Sequence, residues 1–80
     1  MDVTQKAQRA QILLRDPLLR EAIDGLVAEQ MAVFAGRSPV EAVTEARHVL
    51  WALEALEVRL GSYIDDEAVF RHRQAKVAPQ

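Results

Sequence analysis

The sequence predicts an all-α chain: a helical hairpin of two long antiparallel helices, with a short N-terminal helix and a short C-terminal helix, assembled into an oligomeric bundle. Three observations predict it. Asp16-Pro17 and Gly36-Arg37-Ser38-Pro39 carry helix-boundary chemistry. In the longest segment the apolar residues recur at alternating steps of four and three. No stretch of five or more residues alternates apolar and polar side chains between turn residues, as a strand would.

The first helix is expected over about Val3 to Leu14, with Ala7, Ala10 and Leu14 on one side, Asp2 as its cap and Gln5 at the third helical position. Asp16 then caps a second helix from Pro17 to about Ala35, because proline fits the first helical position, where its missing N–H would be unpaired anyway. Gly36 is expected to end that helix in a left-handed conformation. Ser38, Pro39 and Glu41 read as a capping box opening the third helix. That helix is expected to run from Pro39 to about Ile64, roughly 26 residues or about 39 Å. Gly61 would bend or fray its last turn, and Asp65 or Asp66 would cap a short final helix over about 66–73. Pro79 closes the chain.

The apolar faces suggest how these helices assemble. Ala42, Ala46, Val49, Leu53, Leu56 and Leu60 form a coiled-coil-like seam, widened by Val43, Leu50 and Ile64. In the second helix, Leu18, Leu19, Ala22, Ile23, Leu26, Val27, Met31, Val33 and Phe34 cover roughly 220° of arc, where one neighbour requires only about 100°. Two or more neighbours are therefore expected, the first helix and other subunits among them. Trp51 lies off the seam with Val40, Ala55 and Val58. It is either an interface anchor or a residue over which the first or last helix folds. The expected interface residues are Leu19, Leu26, Phe34, Trp51 and Leu56.

Composition sets the outer bounds. A chain of 80 residues permits one domain and buries only about 60–65% of its unfolded surface. With no cysteine, neither disulfides nor thiolate metal sites can reinforce it, which leaves self-association or a partner. A net charge of −2 gives too weak a field for non-specific nucleic-acid binding over the whole surface. No apolar run approaches the roughly 18 residues that span a bilayer. The start MDVTQKAQR lacks an apolar signal core, so neither a membrane nor secretion is expected.

Candidate chemistry is sparse. Glu45 and His48 have the Glu-x-x-His spacing of di-iron bundles, and pairing about the turn near Arg37 would set Glu29 opposite Glu45. Those three residues resemble half of the site in two-helix encapsulated ferritins. His48, however, points away from the seam, and a solvated charged face is the preferred reading. Arg71, Arg73 and Lys76 could touch phosphates. They also complement the macrodipole of a helix opened by Asp65, Asp66 and Glu67, which is the simpler account, and an ordered contact to a protein partner is a third. Ser38 is expected to be occupied as a cap, Ser62 has no histidine nearby in sequence, His72 stands alone in a basic run, and no phosphate loop or nucleophile elbow occurs. No enzyme and no cofactor is expected.

Leu13-Leu14-Arg15-Asp16-Pro17-Leu18-Leu19-Arg20-Glu21-Ala22, Leu50-Trp51-Ala52-Leu53-Glu54-Ala55-Leu56 and Val58-Arg59-Leu60-Gly61-Ser62-Tyr63-Ile64-Asp65 together resemble small uncharacterised helical-hairpin proteins of tailed bacteriophages and prophages, over about residues 10 to 70. The resemblance implies a virion structural or assembly protein, located in the host cytoplasm or the particle, whose partners are itself and other particle proteins. A second reading is a phage counter-defence protein that binds a host factor or holds a signalling nucleotide between subunits, with Arg37, Arg47 or Arg59 as its cations.

Overall fold

A computed structural model of the chain describes residues 1–77, so Pro79 lies outside the described part. It contains three helices, α1 (Val3–Arg15), α2 (Pro17–Ala35) and α3 (Val40–Val77), and no strand among the described residues.

Two of the expected caps form. The Asp2 carboxylate accepts from the Gln5 amide at 2.8 Å while Gln5 accepts from the Asp2 amide at 3.2 Å, a reciprocal capping box. Asp16 serves two helices. Its amide donates to Leu13 O at 3.2 Å to close α1, and its carboxylate accepts from the Leu19 amide at 2.9 Å to open α2. Its extended backbone (φ −67°, ψ 121°) is the one favoured before proline, so α1 and α2 cannot merge into one rod.

Three expectations are corrected. Gly36 is extended (φ −96°, ψ 177°), not left-handed, and its amide bonds Ala32 O at 3.2 Å. Ser38 and Glu41 do not form a capping box: the Ser38 hydroxyl donates back to Val33 O at 2.9 Å, satisfying a carbonyl near the end of α2, and α3 starts at Val40. No separate helix occupies 66–73, because α3 continues for 38 residues through Gly61, Asp65 and Asp66. Ser62 bonds Arg59 O within the helix, and Glu67 pairs with Arg71 one turn on at 2.9 Å.

The continuity of α3 has a tertiary cause. α1 lies along its C-terminal half, with Val3 near Phe70 and with Ala10 and Leu13 near Leu60 and Tyr63. Lys6 Nζ sits 5.7 Å from the Tyr63 ring centroid, within cation–π range. α2 runs back along the N-terminal half, with Arg20 beside Glu57 and Val27 beside Leu50 and Leu53. α1 meets α2 far less than it meets α3, so it covers little of the apolar arc of α2. The molecule is accordingly long and thin, 65 × 23 × 19 Å.

The core is slight. Its buried hydrophobic residues are Ala7, Ala10, Ile23 and Ala46. Alanine lets helices approach closely, yet each one removes little apolar area from water.

Candidate interaction surface

The single inter-helix ion pair among the described residues joins Arg20 to Glu57. Arg20 Nη2 lies 3.1 Å from Glu57 Oε1 and Nη1 lies 3.3 Å from Oε2, a two-pronged contact that pins the register of α2 on α3. The hydrogen bond to Glu57, followed by its charge, raises the Arg20 pKa further above its ordinary value. Sequence reading missed this pair, although Arg20 and Glu57 stand equally far from the turn at 38–39, which an opposite-charge search about that turn would have found.

The seam of α3 is only partly engaged. Ala46 is buried and Ala42, Val49, Leu53 and Leu60 are half-buried, but Leu56 is exposed. In a straight helix a 3.5-residue seam drifts, and here the contact line passes through Leu50, Leu53 and Glu57 instead. On α2, Leu19 is half-buried one turn before the buried Ile23, whereas Leu18, Leu26, Met31 and Phe34 remain exposed. Among the described residues α3 is the main neighbour of α2, and it leaves these four side chains uncovered.

Trp51 is 59% exposed, and neither α1 nor the end of α3 folds over it. Among the described residues its one aromatic neighbour is His48, with ring centroids 5.7 Å apart. At 100° per residue Trp51 points about 140° away from Leu56. The five expected interface residues therefore do not form one patch. Leu26 and Leu56 remain exposed on the paired α2 and α3, and Trp51 stands on the outer side of α3.

The candidate chemical groups do not converge. Glu29, Glu45 and His48 are all exposed, and the register set by Arg20–Glu57 sets Glu29 level with His48 rather than with Glu45. Among the described residues no three histidine or acidic side chains are placed to hold a metal ion. Arg71 is engaged by Glu67 and points roughly 160° from Arg73, so Arg71, Arg73 and Lys76 do not make a single basic face. Their expected helix-opening counterparts, Asp65, Asp66 and Glu67, lie inside α3 rather than at a helix N-terminus. Arg37, Arg47 and Arg59 are exposed and scattered, with Arg47 and Arg59 about 18 Å apart along α3. No described helix is long and apolar enough to cross a membrane.

Comparison of the chain with protein-family models, curated proteins and solved structures finds no match.

Proposed function

We propose that this chain is a non-enzymatic helical docking protein that works by self-association and by binding other proteins. The resemblance to small phage-encoded hairpins supplies its setting, a component of virion structure or assembly. The observation that carries the reading is unburied surface. The chain exposes 6487 Å², about 1,600 Å² more than a compact monomer of 9.0 kDa leaves to water. Large apolar side chains stand in that surface, with Leu18 72% exposed in addition to Trp51. A standard interface removes about 800 Å² from each partner, so the excess is enough for two of them. Two separate faces, one including Leu26 and Leu56 and one centred on Trp51, suit a protein held between neighbours better than one with a single ligand.

Sedimentation velocity from micromolar to near-millimolar concentration tests the self-association. A weight-average mass rising above that of one chain is expected, and a strictly solitary species throughout would overturn the reading. Mass spectrometry of purified particles and their assembly intermediates tests the setting, where absence from both would remove the virion role.

A further inference from the structure

We propose that the outer face of α3 pairs with the same face of a second copy, antiparallel, about a two-fold axis between Glu54 and Ala55. This rests on the self-association proposed above and specifies its face and register. Val40, Thr44, Trp51, Ala55, Val58 and Val69 fall within a band of about 60° at 100° per residue, which Ser62, Arg73 and Lys76 also enter toward the C-terminal end of the helix. The band points about 140° from the buried Ala46, largely away from α1 and α2, with Val58 at the edge of the groove that Val27 of α2 also lines. All six residues are exposed, with Val40 at 77%, Val58 at 64% and Val69 at 50%. Such spacing ordinarily marks a helix face that meets another helix.

Three features select a second copy, antiparallel. Its large apolar residues are arranged palindromically: Trp51 and Val58 stand equally far from its centre, and so do Val40 and Val69, while Thr44 meets Asp65 and Ala55 meets Glu54. Antiparallel pairing sets each indole against the smaller Val58 of the other copy, with Ala55 leaving room near the axis. Parallel pairing would set indole beside indole and alanine beside alanine, giving uneven layers. Charge agrees with the first arrangement. Arg47 and Asp65 flank the stripe on the same side, and neither forms an ion pair with another described residue of its own chain. In the antiparallel register each Arg47 comes within about 4.5 Å, along the axis, of Asp65 in the second copy, and the pair occurs twice by symmetry. Glu54, on that same flank, faces its own counterpart across the axis and opposes the association.

The chain has no cysteine, so single cysteines report the pairing without background. Ala55→Cys and Thr44→Cys, both exposed positions on a helix, are oxidised mildly at a concentration where the wild type self-associates, with circular dichroism confirming that each variant is helical. Ala55→Cys is expected to form a disulfide-linked dimer. Thr44→Cys is not, because its two copies lie about 31 Å apart in this register. Efficient linking through both positions would mean parallel pairing and overturn the proposal. Linking through neither, with a dimer still present by sedimentation, would overturn it while leaving self-association through another face intact. A strictly monomeric chain would remove both. Two further variants supply an independent readout of the dissociation constant. Trp51→Ala is expected to raise it at least tenfold. Glu54→Gln is expected to lower it severalfold by removing the like-charge contact. A rise with Glu54→Gln would instead indicate the parallel arrangement, in which Glu54 meets Arg59 of the other copy.

Discussion

Asp16 concentrates more local structure than any other side chain described here. Its carboxylate caps α2, its amide closes α1, and Pro17 holds its backbone extended. Removing the carboxylate strands the Leu19 amide at a half-buried helix start, so Asp16→Ala is expected to cost about 1 kcal/mol. Urea unfolding with far-ultraviolet circular dichroism measures it. Asp16→Asn keeps an accepting oxygen and should retain most of that stability, whereas an equal loss in both variants would show that the cap contributes little. Asp2 and Asp16 were both legible in the sequence because a cap needs only residues three positions apart. Ser38 was not. Its pattern with Pro39 and Glu41 matches a capping box, but the same hydroxyl can reach Val33 O across the turn, and the backbone path from Gly36 to Pro39 decides between the two. That path is a tertiary outcome, set by how α3 returns along α2.

At the scale of elements, α3 shows how packing overrides local punctuation. Gly61-Ser62 followed by Asp65-Asp66 reads locally as a stop and a restart, yet the helix passes through all four residues. Glycine weakens a helix interior by about 0.5–1 kcal/mol relative to alanine, a penalty that the contacts of α1 with Leu60 and Tyr63 can offset. A Cβ built at Gly61 meets nothing within 4 Å, and the same holds at Gly25 in α2. Gly61→Ala is therefore expected to stabilise the chain by about 0.5–1 kcal/mol, raising the thermal midpoint by a few degrees. Gly25→Ala should do the same and serves as the internal comparison. A destabilised Gly61→Ala beside a stabilised Gly25→Ala would place a working bend at residue 61. The break at Asp16-Pro17 was legible and the continuity at 61–66 was not. Proline lacks an amide hydrogen and constrains its predecessor, whereas a glycine's preference is weak enough for a neighbouring helix to decide.

The whole molecule buries few side chains completely, and its stability is correspondingly open to what a second copy could cover. Helices and their apolar arcs could be read from spacing, since periodicity survives in one dimension. Which arc meets which could not, because register depends on contacts between distant positions, such as Arg20 with Glu57, and on the drift that leaves Leu56 outside the seam. A core of three alanines and one isoleucine supplies little apolar burial for a chain 65 Å long. If the missing burial comes from a second copy, association and folding are linked, and stability becomes a function of concentration. A hundredfold rise in protein then contributes about 2.7 kcal/mol to the folded dimer, enough to lift the thermal midpoint by several degrees. Thermal unfolding at matched heating rates over that range is expected to show the shift in the wild type and a much smaller one in Trp51→Ala. Trp51 is exposed within the chain, so its removal should leave the lone molecule's own stability nearly unchanged while weakening the association that concentration drives. A midpoint independent of concentration in the wild type would mean that these thin helices hold together by themselves, and the unburied surface would then lose its claim on a second copy.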